Sequence, residues 1–296
     1  MLFYCIEKRS DNLLQLNQFY IGEAVNFMKE NIPDNFVDLT VTSPPYDNLR
    51  TYKGFIFDYK SMLKELYRVT KNGGVVVWVV ADTTIKGSET LTSFKQAIYA
   101  VEECGFNLHD TMIWKKPNPV PQFPSIKRYT NDFEYMFVFT KGQPKTFNPL
   151  MTNCKTAGRK KNRNKHSAFS EQSADRPRDV ITTTKETKRL TNTWEIGVGS
   201  KNKKHPAIFP EKLAENHILS WSNEGDTVLD PMCGSGTTCK MAWLNNRKFI
   251  GIDISEEYIN DICKPRLKQY GWNESNLNYS YVRCPKQKES EVEHDG

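Results

Sequence analysis

Apolar positions follow two rhythms along this chain. Val37–Ser43 (VDLTVTS) is rich in β-branched residues, and Val75–Val80 (VVVWVV) is almost continuously apolar, so both read as strands. Between them, Met62, Leu66 and Val69 recur at helical spacing, and Asn72-Gly73-Gly74 predicts a stop to that helix. SETLTSFKQAIYAVEECG (88–105) reads as a further helix, with Ser88 as its cap and Gly105 beyond its end. LHDTMIWKK (108–116) and FEYMFVFTK (133–141) read as two more strands.

Near the C-terminus the alternation returns. PEKLAENHILSWS (210–222) predicts a helix, DTVLD (226–230) a strand, TTCKMAWLNN (237–246) a helix, KFIGID (248–253) a strand and SEEYINDICKPRLKQYG (255–271) a helix. Apolar strands alternating with helices predict a doubly wound, mostly parallel α/β sheet covered on both faces. No window is long and apolar enough for a membrane span, and the start of the chain lacks a signal-peptide pattern, so a cytoplasmic protein is expected. Seven cysteines without CxxC pairs argue against a disulfide framework or a structural zinc site.

Charge adds a second region to this picture. Lys155–Lys204 holds fourteen basic residues against five acids, a local excess of +9 in a chain of net charge +6. The surrounding stretch, 145–204, has little periodicity and reads as a basic insert within a single domain spanning 1–296, with a polar tail at 272–296. A localised basic excess is the footprint of a polyanion partner such as nucleic acid, with a solvated loop as the alternative.

Two strand ends carry candidate chemistry. DTVLD runs into PMCGSGTT, a Gly-Ser-Gly turn opening a helix, and KFIGID ends in Asp253. Glycines let backbone approach a ligand, and an acid at the next strand tip suits ribose hydroxyls. The turn lacks the third glycine of GxGxxG and the GK[ST] of a P-loop, and Asp230 would repel a phosphate. A cationic, ribose-bearing cofactor without phosphates fits, as S-adenosylmethionine does.

The other strand end is Ser43-Pro44-Pro45-Tyr46. Prolines fix φ and offer only carbonyl acceptors. Ser43 and the Pro44 carbonyl can accept the two N–H bonds of an exocyclic amine, while Tyr46 gives a flat face for stacking on a base. Such an arrangement turns the nitrogen lone pair toward an electrophile and needs no metal.

TSPPY at 42–46, HPAIFPEKL at 205–213 and DPMCGSGTT at 230–238 resemble, in this order, the motifs of the β-group amino DNA methyltransferases of restriction–modification type. The resemblance implies a seven-stranded Rossmann-like sheet, S-adenosylmethionine as methyl donor, and a target base flipped out of double-stranded DNA. It implies that Ser43, Pro44, Pro45 and Tyr46 form the catalytic motif. Asp230, Pro231, Gly234, Ser235, Gly236 and Thr237 would line the methionine end of the cofactor, and Asp253 would hold the ribose. Glu23 would lie near the adenine, in a position where the family usually has Asp, and His205 and Pro206 near the cofactor carboxylate. Met232 stands where the family commonly has Phe. The basic insert matches the family's target-recognition segment, within which Trp194 is either a base contact or a core residue. Ser in the first motif position favours cytosine N4 over adenine N6. RNA or a protein glutamine side chain is the alternative substrate, and the restriction–modification type admits a cognate restriction endonuclease acting separately.

Overall fold

The computed structural model describes residues 14–45, 57–123, 125, 127–162, 181–198 and 210–274. In chain order its strands are β1 (Gln18–Ile21), β2 (Val37–Thr42), β3 (Thr70–Val80), β4 (Thr84–Ile85), β5 (Ser88–Glu89), β6 (Asn107–Lys115), β7 (Phe133–Thr140), β8 (Met151–Asn153), β9 (Lys160–Asn162), β10 (Ile181–Thr183), β11 (Thr187–Arg189), β12 (Thr193–Glu195), β13 (Thr227–Asp230) and β14 (Lys248–Asp253). The helices are α1 (Ala24–Asn31), α2 (Tyr59–Val69), α3 (Thr92–Glu102), α4 (Glu211–Trp221), α5 (Thr237–Leu244) and α6 (Lys264–Lys268), the last preceded by a π-helical turn, Tyr258–Cys263.

Eight strands form one sheet in the order β1-β14-β13-β2-β3-β7-β6-β12. From β1 to β3 every pairing is parallel, and only β7 runs against its neighbours β3 and β6. This is the expected Rossmann-like α/β sheet in a permuted order. The N-terminal strand closes onto the C-terminal one, with Gln18 opposite Ile250.

Alternation along β3 shows why the strands are apolar throughout. Val76, Trp78 and Val80 join a core with Met28 of α1, Leu63 and Leu66 of α2, and Ala100 of α3. On the opposite face, Met136 of β7 meets His217 of α4, Sδ to Nε2 at 3.2 Å. Successive side chains point to opposite faces, so a sheet buried on both sides needs apolar residues at every position. Each fully buried Val or Leu contributes about 1.5–3 kcal/mol.

Several expectations are corrected in detail. Asn72-Gly73-Gly74 is not what stops the helix: α2 ends at Val69, and the triplet lies inside β3, at an irregularity between Val37 and Leu39 on the partner strand. A Cβ on Gly74 would come within 3.0 Å of the Asp38 carbonyl, so backbone crowding selects glycine there. Ser88 belongs to the β4–β5 hairpin rather than capping a helix, and α3 starts at Thr92 after Leu91 in the left-handed region, φ 56°. The eighth strand, beyond the seven expected, is β12. It pairs with β6 and buries Trp194, whose ring lies 4.6 Å from that of His217, so this tryptophan is a core residue.

The chain divides into two compact units, one comprising 1–148 and 192–296 and the other Pro149–Thr191. The smaller contains two antiparallel pairs, β8 with β11 and β9 with β10. Its described surface exposes Lys155, Arg159, Lys160, Lys185, Lys188 and Arg189. Among the described residues no helix is long and apolar enough to cross a membrane.

Candidate active site

Four adjacent parallel strands, β1, β14, β13 and β2, deliver their C-terminal ends to one edge of the sheet. Ile21 lies opposite Asp253, Asp230 opposite Gly251, and Leu229 opposite Thr40. Glu23, Asp253, Asp230 and Ser43 therefore follow one another along that edge, although up to 230 positions separate them in the chain. Ligands of open α/β sheets bind at such an edge.

The turn after β13 is held on several sides. The Cys233 amide donates to the Ile252 carbonyl at 2.9 Å, and the Gly236 amide donates to the Cys233 carbonyl at 2.7 Å. The Gly234 amide donates to Asp253 Oδ2 at 2.8 Å, and the Ser255 amide to Asp253 Oδ1 at 2.8 Å. Gly236 sits at φ 71°, where a Cβ would meet Cys263 Sγ at 3.1 Å. Glycine is required there both by conformation and by space.

From outside, Arg266 donates to the Ser235 carbonyl at 2.9 Å, to Thr237 Oγ1 at 3.1 Å and to Glu211. Lys240 donates to the same Glu211 carboxylate at 2.7 Å and to the Tyr270 hydroxyl at 3.0 Å. Burial pulls the Glu211 carboxyl upward, but the hydrogen bonds and charges of Lys240 and Arg266 outweigh it and hold Glu211 below the usual carboxylate range.

Asp230 links the two motifs. Its Oδ1 accepts from Thr42 Oγ1 at 2.8 Å and from the Met232 amide at 3.3 Å. Thr238 of α5 donates to the Val41 carbonyl at 3.0 Å, tying the same strand end to α5. Asp230 is 5% exposed, and burial pushes its carboxyl up to about 7 against the lowering effect of the Thr42 and Met232 bonds. Ser43, half-buried, follows Thr42 directly, with Pro44 buried and Pro45 half-buried beyond it.

The remaining candidates divide into two groups. Pro231 is buried, and Ser235 and Thr237 approach each other at 3.3 Å between their hydroxyls. Glu23 uses both carboxylate oxygens to cap α1, accepting from Val25 at 3.0 Å and Asn26 at 2.8 Å. Gly22, beside it, donates to the Asp253 carbonyl at 3.0 Å. Tyr46, His205 and Pro206 lie outside the described residues. Sequence reasoning did not single out Thr42, Thr238, Glu211, Lys240 or Arg266. Thr42, Glu211 and Thr238 lie within the quoted motifs at 42–46, 205–213 and 230–238, whereas Lys240 and Arg266 had no signal.

Residues 37–264 match the DNA methylase family of N6/N4 type. The chain belongs to this family. It is 53% identical over 253 residues to the orphan methyltransferase M.BamHII of Bacillus amyloliquefaciens, covering 82% of this chain and 93% of that relative. It is 28% identical over 288 residues to the type II methyltransferase M.BglII of Bacillus subtilis, covering 92% of this chain and 74% of that one. Among solved structures, the cytosine-N4-specific PvuII DNA methyltransferase shares the fold at TM-score 0.58 and 21% identity, over 85% of this chain and 90% of its own. The M1.HpyAVI complex with S-adenosylmethionine matches at TM-score 0.53 and 25% identity, over 84% of this chain and 99% of its own.

The chain is thus a β-group amino DNA methyltransferase of restriction–modification type, and S-adenosylmethionine is its cofactor. The residues present suit that group. Two acids at neighbouring strand ends complement a cation and ribose hydroxyls, and a turn without Cβ atoms at Gly234 and Gly236 leaves room for close approach. DNA is its substrate.

Proposed function

We propose that this methyltransferase modifies the N4 amine of cytosine at a specific site in duplex DNA, with the target base extruded from the helix. The supporting observation is the Thr42–Asp230 hydrogen bond of 2.8 Å, which sets Ser43 one residue from the cofactor turn. Bound S-adenosylmethionine supplies an activated methyl group on a sulfonium. Ser43 Oγ and the Pro44 carbonyl accept the amine protons, Pro45 keeps that carbonyl fixed, and Tyr46 stacks on the base. Held in this way, the nitrogen presents its lone pair instead of delocalising it into the ring. Asp230, Pro231, Gly234, Ser235, Gly236 and Thr237 hold the methionine end, Asp253 the ribose, Glu23 the adenine side, and His205 and Pro206 the carboxylate.

A base inside the stack is unreachable, so extrusion precedes transfer. The basic segment 145–204 binds phosphates and carries the target recognition, giving an affinity that falls steeply with salt. The enzyme works in the cytoplasm. Cytosine is favoured by Ser43 where the adenine-modifying members of the group mostly carry Asp. Adenine N6 is the second reading, since both bases present a similar amine. Mass spectrometry of nucleosides from DNA treated with the enzyme decides between them. N4-methylcytosine is expected; N6-methyladenine in its place overturns the cytosine assignment.

A further inference from the structure

The loop joining β6 to β7 bears large apolar side chains in water. Val120 is 82% exposed, Phe123 76% and Tyr129 100%. Scattered surface apolar residues are ordinary, but three on one connection are not. The loop is also constrained. Pro117, Pro119 and Pro121 fix φ at alternate positions. Arg128 donates to the Gly87 carbonyl at 2.6 Å and to Thr84 Oγ1 at 3.2 Å, both in the β4–β5 hairpin, and pairs with Glu89 at 3.3 Å. Asn131 Oδ1 accepts from the Phe133 amide at 3.2 Å. Tyr129 therefore projects from a short stretch anchored on both sides.

Position along the sheet gives the loop a purpose. Thr42 of β2 lies opposite Trp78 of β3, Val80 of β3 opposite Tyr135 of β7, and Lys115 of β6 opposite Phe133 of β7. The β6–β7 loop consequently leaves the same edge as Ser43. At about 4.8 Å between strands, its two ends stand roughly 10 and 14 Å from β2. That is about three to four base-pair steps of 3.4 Å. Lys127 adds a cation next to Tyr129, as a polyanion surface requires.

We propose that Phe123 and Tyr129 form an apolar wedge that enters the duplex beside the target and fills the gap left by the extruded base. The proposal rests on the extrusion reading above. Proteins that open a base step commonly insert apolar side chains to replace the lost stacking. A loop made rigid by prolines presents its rings without having to be ordered on binding.

The test uses the full chain and a duplex containing the site found by sequencing DNA modified by the wild-type enzyme. Methyl-transfer kcat/KM is measured for wild type and for the Phe123→Ala/Tyr129→Ala double variant. Each is given the fully paired duplex and the same duplex with a mismatch opposite the target. Thermal melting checks that the variant is folded. An already unpaired base needs less work to extrude. The variant is therefore expected to lose on the order of tenfold or more on the paired duplex and to return within about threefold of wild type on the mismatch. Wild-type rates on the paired duplex, or an equal loss on both, overturn the wedge. Extrusion is read separately, from the fluorescence of pyrrolocytosine, a cytosine analogue that keeps the pair with guanine, at the target position with wild-type enzyme. No rise there overturns extrusion. A rise of the same size with the double variant overturns only the wedge.

Discussion

The edge of the sheet has two halves built on different principles. On the β1-β14-β13-β2 side, several candidate groups are held by bonds between separate elements. Gly234 is tied to Asp253, Thr42 to Asp230, and Ser235 to Arg266. On the β3-β7-β6 side the candidates sit on a loop whose rings stand in solvent, fastened to a two-strand hairpin chiefly through Arg128. The first half meets one small molecule of constant shape, so fixing its groups beforehand avoids paying for their ordering on binding. The second meets a duplex that must deform, so its apolar groups wait exposed. Both halves are held in advance, the first by bonds among strands, turn and helix and the second by prolines and Arg128, but only the second must reach outward.

Substitutions on the two halves should separate cofactor handling from DNA handling. The largest effect is expected from Ser43→Ala, a loss of about 10²–10³-fold in methyl transfer with cofactor affinity retained, read by single-turnover kinetics and calorimetry. Unchanged turnover would detach Ser43 from the chemistry.

Next is Gly236→Ala, which places a Cβ at φ 71° and 3.1 Å from Cys263 Sγ. A cost of about 1–3 kcal/mol is expected, seen as a lower melting temperature together with weaker cofactor binding.

A third effect is in pH. Burial raises Asp230 to about 7, so its folded-state value lies above the unfolded one. Its contribution to stability is therefore full below about 4 and is lost as pH rises through 7. A sulfonium cation favours the charged carboxylate. Cofactor affinity should rise up to about tenfold between pH 6 and 8, with proton release on binding near neutrality, and Asp230→Asn should flatten that profile. Calorimetry in buffers of different ionisation heat reads the proton directly.

A smaller effect, roughly five- to tenfold in KM for the cofactor, is expected from Arg266→Ala, with kcat little changed. Arg266→Lys should recover part of it, and an unchanged KM would show that the turn holds its shape without this brace. The smallest effect belongs to the smaller unit. Lys188→Ala should weaken DNA binding a few-fold and reduce its logarithmic salt slope by about one, with cofactor affinity untouched.

Much of this was legible in the chain because the signals are local. Val37–Thr42, Val75–Val80 and Lys248–Asp253 declare strands by composition, and PMCGSGTT declares a turn by its glycines. What misled was also local. Asn72-Gly73-Gly74 looks like a break but lies within β3, where the space for a Cβ at Gly74 is closed by Thr70 and Lys71 of the same strand and by Asp38 of β2. Trp194 sits in a basic run and looks available to a base, yet pairing of β12 with β6 carries it into the core.

By itself the sequence determined the periodicity of the elements, the two motifs, their order and the basic segment between them, since each is written in neighbouring residues. Only the tertiary structure decided that Glu23, Asp253, Asp230 and Ser43 line up on four adjacent strand ends. It alone decided that Thr42 bonds to Asp230 across 188 positions, and that Arg266 and Glu211 brace the Gly-Ser-Gly turn. Strand order and register arise from burying both faces of a sheet at once, a condition on the whole chain that no short stretch contains.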